Sequence, residues 1–161
     1  MDEFQARRLV SLYADMILRI SYQYLKKTCD AEDICQIVFL KYLTSAPAFD
    51  SPEHEKAWII RTAINTCKDH LKSAFFRRTV PLEEAASVAA PQVPRTELLD
   101  AMKTLPENQR ISIYLYYYED YSAREIGQFL NKTEHTVNQY LSRGRRKLRD
   151  ILSDEGSCTI L

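Results

Sequence analysis

The side chains best suited to chemistry lie near the end of the chain, in residues 134–149, EHTVNQYLSRGRRKLR. Asn138, Gln139 and Ser142 carry amide and hydroxyl groups, which can hydrogen-bond to the edges of DNA bases. Residues 143–149 follow with four arginines, one lysine and no acidic residue. Because such a cluster of positive charge attracts phosphates, the segment predicts a surface that binds duplex DNA.

The spacing of these residues tests whether one helix can present them, since successive residues of an α-helix lie about 100° apart. Val137, Leu141 and Leu148 fall on one apolar stripe, together with Tyr140 and Gly144. The polar side chains on the opposite side are Asn138, Gln139, Ser142, Arg145, Arg146 and Arg149. The segment therefore predicts an amphipathic helix, on which we expect Gly144 to pack closely against the preceding helix.

The residues before this helix predict how it is positioned. Ser122-Ala123-Arg124-Glu125 matches the Ser-x-x-Glu capping box that begins a helix, and Ile126 starts its apolar face. Asn131-Lys132-Thr133 predicts a tight polar turn, and a long helix is expected from about Glu134 to Leu152. A short capped helix, a turn and a longer basic helix are typical of a helix-turn-helix. The alternative is a solvated helix whose arginines only keep it soluble, which the capped turn disfavours.

Two further helices are predicted ahead of the capping box. One runs from Glu97 to Leu105 and is stopped by Pro106, which in turn begins the next helix. The second of these helices has an apolar face that includes Ile111 and Leu115. The segment is also rich in tyrosines, and we expect them to pack mostly between helices: Tyr114, Tyr116, Tyr117, Tyr118 and Tyr121.

The first half of the chain also has helical spacing. A first helix is predicted by apolar residues at three- or four-residue intervals, which are Leu9, Leu12, Met16, Ile20 and Tyr24. Asp30 is expected to cap the start of a second helix, which runs through Ile34 and Val38. Ser51-Pro52-Glu53 predicts the start of a third helix, because it places a capping serine, a proline and an acid in the favoured order. The third helix has an apolar face of Ile60, Ile64, Cys67 and Leu71.

Residues 79–96 interrupt this helical pattern. They contain Pro81, Pro91 and Pro94 and are otherwise rich in alanine and small polar residues, a composition typical of a linker. We therefore predict an all-α fold of two small helical domains, residues 1–78 and 97–161, joined by a flexible linker over residues 79–96. The second domain contains the helix-turn-helix.

Composition and charge limit the classes of function. The 161 residues include 22 basic and 22 acidic side chains, so the net charge is zero, but the charges are unevenly distributed. Residues 56–78 and 138–149 are basic, whereas Asp30, Glu32 and Asp33 form an acidic patch, which predicts two kinds of partner. The chain has no apolar run of about eighteen residues and no signal-peptide pattern, which predicts a cytoplasmic protein without membrane insertion.

Candidate catalytic and metal-binding residues are sparse. Cys29, Cys35, Cys67 and Cys158 form no Cys-x-x-Cys pair. Cys67 and His70 lie about one helical turn apart and offer only half of a metal site. The sequence has no paired carboxylates, serine–histidine arrangement or glycine-rich phosphate loop that would make an enzyme site. We therefore expect no catalytic activity, no metal and no cofactor.

With these segments in view, the sequence resembles the extracytoplasmic-function (ECF) sigma factors of bacterial RNA polymerase. Residues 134–149 closely resemble the end of the promoter-binding C-terminal domain. Two segments precede it in the family's order and spacing, LPE at 105–107 and YYYEDYSAREIGQFL at 116–130. DAEDICQIVFLKYL, residues 30–43, is similar to the helix that family members dock onto the polymerase clamp. KAWIIRTAINTCKDHLK, residues 56–72, is similar to the helix that meets the −10 element. The resemblance covers nearly the whole chain and implies a two-domain sigma factor.

The resemblance implies roles for individual residues. Asp33 and Gln36 fall on positions that bind core RNA polymerase. The residues expected at the −10 element are Lys41, Phe49, Asp50, Ser51, Arg61, Asn65 and Lys68. The residues expected at the −35 element are Thr136, Asn138, Gln139, Ser142, Arg143, Arg145, Arg146 and Arg149. Among the −10 residues, the loop at 49–51 corresponds to one that captures a flipped base of the non-template strand.

The sequence departs from the family pattern at two of these places. Ile37 stands where the family usually has glutamate next to its clamp-binding positions, so one polar contact is missing. Asn138 stands where family members often have a basic residue. This departure bears on which promoter sequence the protein prefers, and not on whether it binds promoters.

The resemblance implies core RNA polymerase, promoter DNA and an anti-sigma factor as partners. The leading alternative is a free-standing helix-turn-helix repressor or activator, which usually binds a palindrome by itself. A sigma factor, by contrast, is expected to bind its promoter tightly only together with core polymerase. A helical adaptor that binds proteins alone is a remoter alternative, which the basic final helix disfavours.

Overall fold

The computed structural model describes residues 3–76 and 97–154. These residues belong to two compact units, Met1–Pro91 and Gln92–Leu161. Every regular element within the described residues is an α-helix, which confirms the predicted fold class. The predicted linker at residues 79–96 lies outside the described residues, and so does Cys158.

The first unit contains three helices, α1 (Glu3–Leu25), α2 (Thr28–Ser45) and α3 (Pro52–Phe76). Each helix contributes side chains with no exposed surface to a shared core, and these are Ile17, Ile20, Ile34, Val38, Ile60 and Ile64. Full burial of an isoleucine stabilises a fold by about 1.5–3 kcal/mol relative to leaving it exposed. The three helices therefore hold one another in place, and each depends on the other two.

The predicted core face of α1 is wrong at Leu12. This side chain is 55% exposed, and Tyr13 is buried beside it. The hydroxyl of Tyr13 donates a 3.0 Å hydrogen bond to Oε2 of Glu55 on α3. A partner 42 residues away in the sequence therefore helps to set the face that α1 turns inward.

The predicted cap of α2 is also wrong, because Asp30 lies inside the helix. Lys26 adopts a left-handed φ of 59°, which ends α1, and Lys27 is already the residue that precedes α2. With so short a connection, α2 begins at Thr28. Asp30 lies in its first turn, where a carboxylate interacts favourably with the helix dipole.

The start of α3 follows the prediction. The N–H of His54 donates to Oγ of Ser51 at 3.1 Å, so Ser51 caps the helix ahead of Pro52. The apolar face is confirmed at Ile60, Ile64 and Cys67, which have no exposed surface.

The second unit contains four helices, α4 (Glu97–Lys103), α5 (Glu107–Tyr117), α6 (Ala123–Leu130) and α7 (Glu134–Asp154). The first of them ends two residues before the predicted Leu105. The core of the second unit is built mainly from α5, α6 and α7. It includes Ile111, Leu115, Ile126, Leu130, Val137, Leu141 and Leu148. The pair α6–α7 forms the predicted helix-turn-helix.

The expectation that the tyrosines pack mostly between helices is wrong for three of the five. Tyr114 is buried, but Tyr116, Tyr117 and Tyr118 are 39%, 41% and 51% exposed. Three consecutive residues spread over about 200° around a helix, so they cannot all face the core. Tyr121 is half-buried, and its ring packs edge-on against Phe129 with centroids 5.0 Å apart.

Candidate nucleic-acid interface

The turn between α6 and α7 depends on a close backbone approach at Gly127. The N–H of Lys132 donates to the carbonyl oxygen of Gly127 at 2.9 Å. A Cβ built on Gly127 would lie 2.5 Å from the carbonyl oxygen of Lys132, so a larger residue collides with the turn. Asn131 ends α6 with a left-handed φ of 55°, a conformation in which asparagine is enriched. The predicted tight turn is confirmed, and it fixes where α7 begins.

Both helices of this motif are capped. The N–H of Glu125 donates to Oγ of Ser122, and the N–H of Ser122 donates to the Glu125 carboxylate, each at 3.2 Å, which confirms the capping box. At the start of α7, the N–H of Thr136 donates to Oγ1 of Thr133 at 3.1 Å, and the two hydroxyl oxygens are 2.8 Å apart. Thr136, expected at the −35 element, therefore already uses its hydroxyl to organise the helix start.

The inner side of α7 is the predicted apolar stripe. Val137, Leu141 and Leu148 are at most 2% exposed. The predicted close packing of Gly144 is confirmed, but its partner is α5 rather than the preceding helix. A Cβ built on Gly144 would lie 2.5 Å from Cδ1 of Ile113. The contacts with α5 and α6 leave the other side of α7 open.

The open side of α7 carries most of the predicted −35 residues. Its exposed members are Asn138, Gln139, Ser142, Arg143, Arg146 and Arg149. The amides and the hydroxyl lie nearer the start of the helix, and the last two arginines lie further along it. This order matches a helix whose first turns read base edges while later residues hold phosphates.

Two contacts on α7 were not predicted from the sequence. Nε2 of Gln139 and Nε2 of His135 lie 3.2 Å apart, so His135 orients the Gln139 amide from one turn earlier. The four-residue spacing of these residues was a signal for that contact. Arg145 is half-buried, and its Nη1 donates to the Tyr117 hydroxyl at 3.0 Å. Arg145 therefore lies at the edge of the open face, joined to the end of α5.

In the first unit, three of the predicted −10 residues form a row along α3. Arg61, Asn65 and Lys68 recur at four- and three-residue intervals, so they lie on one side of the helix. Arg61 and Asn65 are exposed, and Lys68 is half-buried. The row combines a planar cation, an amide and an ammonium group, which suit phosphate and base contacts.

Lys41 is fixed to α3 but does not join this row through any contact described. Its Nζ donates to Oγ1 of Thr66 at 2.9 Å, and the same hydroxyl donates to the carbonyl oxygen of Thr62 at 2.6 Å. Thr66 lies about 100° around the helix from Asn65. Lys41 therefore lies towards a neighbouring side of α3, where Thr66 holds its ammonium group.

The loop at residues 49–51 lies immediately before α3. The Phe49 ring stacks on Tyr42 with centroids 5.9 Å apart and meets Trp58 edge-on at the same distance. The N–H of Asp50 donates to Nδ1 of His54 at 3.3 Å, while the Asp50 side chain is 99% exposed. The loop is therefore anchored through an aromatic ring and its backbone, and it presents a carboxylate to solvent.

Glu55, which was not among the predicted site residues, links all three helices of the first unit. Its side chain is 6% exposed and accepts two hydrogen bonds from Arg8, at 3.3 and 3.0 Å. It also accepts from the hydroxyls of Tyr13 at 3.0 Å and Tyr42 at 2.7 Å. We call these four residues the Glu55 network. An acidic residue on the inward side of a helix was the only local signal, because its partners are distant in sequence.

The Glu55 network shifts the pKa values of its members. Burial alone raises the pKa of Glu55, but the hydrogen bonds from Arg8, Tyr42 and Tyr13 outweigh burial, and the net pKa lies below its usual value. Burial and the hydrogen bond to Glu55 raise the pKa of Tyr13 and of Tyr42 to about 12. The carboxylate is therefore ionised and both tyrosines are protonated at neutral pH.

The predicted polymerase-binding residues share one side of α2 with exposed apolar side chains. Asp33, Gln36, Ile37 and Leu40 follow the spacing that brings residues onto one helical face. All four are exposed, with Ile37 at 38% and Leu40 at 60%. A polar pair beside two exposed aliphatic side chains is a composition suited to protein contact.

The described ranges contain no group of three or more His, Cys, Asp or Glu side chains placed to hold a metal ion. Among the helices of residues 3–76 and 97–154, none combines the length and apolar character needed to cross a membrane.

Comparison with known proteins identifies both units. Residues 9–75 match the family described as sigma-70 region 2, and residues 95–148 match sigma-70 region 4. The ECF RNA polymerase sigma factor SigW of Bacillus subtilis is 27% identical over 164 residues, covering 91% of this chain and 88% of SigW. RNA polymerase sigma factor SigV of the same organism is 27% identical over 140 residues, covering 85% of this chain and 84% of SigV.

A solved structure shares the fold. The sigma factor RpoE from Bartonella quintana, in complex with the anti-sigma factor NepR, matches with a TM-score of 0.75 at 18% identity. The match covers 92% of this chain and 97% of that one.

Proposed function

This chain belongs to the ECF family of RNA polymerase sigma factors, and from that premise we propose which of its surfaces bind promoter and polymerase. The observation that carries the proposal is the open face of α7, a row of amide, hydroxyl and guanidinium groups on a helix fixed by the turn at Gly127. A free-standing regulator is not favoured, because residues 9–75 match sigma-70 region 2 as well. We propose residues 1–78 and 97–161 as the two functional domains and 79–96 as their linker.

The second unit binds the −35 element through α7. Asn138, Gln139 and Ser142 read base edges in the major groove, where each good bidentate pair contributes about 1–3 kcal/mol of discrimination. Arg143, Arg146 and Arg149 neutralise phosphates and set the register of the helix on the duplex. Arg145 reaches the backbone from the edge of this face, beside Tyr117.

The first unit binds the melted −10 element. Arg61, Asn65 and Lys68 follow the non-template strand along α3, and Lys41 contributes from the neighbouring side. The loop at residues 49–51 receives an unstacked base. Extruding a base costs a few kcal/mol, which its contacts with the loop must offset.

Core RNA polymerase binds the face of α2 that carries Asp33 and Gln36. Exposed Ile37 and Leu40 add apolar area to this face, and such area supplies most of the favourable free energy in protein association. Ile37 stands where the family usually has glutamate, so we expect this contact to rely more on apolar burial than on charge.

The polymerase supplies the chemistry of transcription, and the chain itself catalyses no reaction. It acts in the cytoplasm, where the chromosome and the polymerase meet. An anti-sigma factor is a further partner, in line with the fold neighbour that was solved bound to NepR.

The proposal is tested by capture of promoter DNA. A pool of genomic promoter fragments is incubated with this protein, with core polymerase, or with both, and the retained fragments are sequenced. We expect a specific set of fragments to be retained only when both are present. Tight retention of palindromic fragments by the protein alone would instead identify a free-standing regulator.

A further inference from the structure

Tyr42 makes one contact through its hydroxyl and two through its ring. The hydroxyl donates to Oε1 of Glu55 at 2.7 Å. The ring stacks on Phe49 at a centroid distance of 5.9 Å and an interplanar angle of 26°, and it meets Trp58 edge-on at 5.9 Å. Tyr42 therefore connects a buried carboxylate to the loop at residues 49–51.

The rest of the loop is held from α3. Trp58 meets the Phe49 ring edge-on, and His54 does so at 5.3 Å with an interplanar angle of 89°. His54 also accepts a hydrogen bond from the Asp50 N–H and donates one from its own N–H to Ser51. Tyr42, on α2, thus holds Phe49 from outside α3.

Glu55 cannot follow Tyr42 if the ring moves, because other partners fix the carboxylate. Arg8 donates to both of its oxygens, and Tyr13 donates to Oε2, all from α1. The position of the Tyr42 hydroxyl is therefore set by a charge on α3 that two side chains of α1 hold in place.

We propose that Glu55, acting through Tyr42, is a positioning residue that holds the loop at residues 49–51 in the conformation that captures the unstacked base. This inference rests on the proposed role of the loop at the −10 element. A loop that is already held in its binding conformation loses little conformational freedom when the base enters. Weakening the hold therefore reduces capture of the single strand without changing contact with the −35 duplex.

The chain offers a matched pair of variants, Tyr42→Phe and Tyr13→Phe. Each removes one hydroxyl that donates to Glu55 and keeps the aromatic ring, but only the Tyr42 ring contacts Phe49. Each full-length variant is assembled with core polymerase, and its affinity for the −10 non-template strand is measured by fluorescence anisotropy. Affinity for the −35 duplex and the unfolding temperature are measured in parallel, on a promoter identified with the unmodified protein.

We expect Tyr42→Phe to weaken −10 strand binding five- to tenfold and Tyr13→Phe to change it by less than twofold. Binding to the −35 duplex should be unchanged in both, and Phe49→Leu, which leaves the Glu55 network intact, should match Tyr42→Phe. Equal effects of the two tyrosine variants, or no effect of Tyr42→Phe, would overturn the inference while leaving the proposed function in place. If the unmodified holoenzyme binds no −10 strand at all, the inference about Glu55 and the proposed role of the first unit at the −10 element are both overturned.

Discussion

The α-carbon of Gly127 lies so close to the turn after α6 that a Cβ built on it would come within 2.5 Å of the carbonyl oxygen of Lys132. The N–H of Lys132 donates a hydrogen bond to the carbonyl oxygen of Gly127, so these two residues hold the turn against the end of α6. Since this turn sets where α7 begins, this backbone contact helps to place the candidate −35 surface.

Gly127→Ala should therefore displace the turn. Alanine favours helix by about 1 kcal/mol over glycine, but the collision is with backbone, which cannot rotate away. Overpacking of this kind costs about 1–3 kcal/mol, so we expect lower stability of the second unit and weaker −35 binding. Thermal unfolding and anisotropy with a −35 duplex measure the two effects.

Gly144→Ala is the matched control, since its Cβ would also meet an atom at 2.5 Å. That atom is Cδ1 of Ile113, the flexible end of a side chain. We expect a change of less than about 1 kcal/mol, because gained helix propensity offsets the repacking of Ile113. Equal losses from both glycine variants would contradict the account of the turn.

The Glu55 network predicts a dependence of first-unit stability on pH. The folded pKa of Glu55 lies below its ordinary value of 4.5, so its stabilisation is present above that value and lost as pH falls through the folded pKa. The folded pKa values of Tyr13 and Tyr42 rise from 10.0 to about 12, so their stabilisation is present below pH 10 and lost towards pH 12.

The single tryptophan, Trp58, lies in the first unit, and its fluorescence reports unfolding of that unit as a function of pH. In Glu55→Gln we expect a loss of about 1.5–3 kcal/mol at pH 7, typical of a hydrogen bond to a charged group. The decline at acid pH should also become shallower. An unchanged acid limb in this variant would show that other carboxylates control it.

The open face of α7 predicts two separable kinds of DNA contact. Gln139→Ala should relax the base preference at one position by about 1–3 kcal/mol and leave the salt dependence unchanged. Arg146→Ala should weaken binding to all sequences and reduce the slope of log affinity against log salt by about 0.9. Holoenzyme affinities for a library of −35 sequences, measured at several salt concentrations, distinguish these outcomes. The assignment fails if Arg146→Ala changes preference and Gln139→Ala changes the salt slope.

The α2 face predicts loss of polymerase binding in Leu40→Glu. Leu12→Glu on α1 is a close control, because Leu12 is 55% exposed and Leu40 is 60% exposed. We expect at least a tenfold weaker affinity for core polymerase in the first variant and less than a twofold change in the second. Co-sedimentation or interferometry with core polymerase measures both. A stronger effect at Leu12 would place the polymerase on a different face of the first unit.

Local features were predictable because their causes are local. The Ser122–Glu125 capping box and the buried stripe that includes Val137 and Leu148 depend on residues at most a few turns apart, and both are confirmed. The exposed row on α7 follows from the same periodicity. The grouping of these residues on one face of α7 could therefore be predicted from the sequence.

Features set by distant partners were not predictable. Tyr13 displaces Leu12 from the core side of α1 through a carboxylate 42 residues away, and Arg8 reaches the same carboxylate. The partner of Gly144 is Ile113 on α5, although α6 is the nearer helix in sequence. In each case the local pattern gave the helix but not which neighbour it would meet.

As a sigma factor, this chain should confer promoter recognition on RNA polymerase. Run-off transcription with purified bacterial core polymerase on genomic promoter fragments, with and without the protein, measures this activity. We expect specific transcripts that require the protein and decrease in Gly127→Ala. If no transcript depends on the protein and the protein does not co-purify with core polymerase, this chain does not act as a sigma factor.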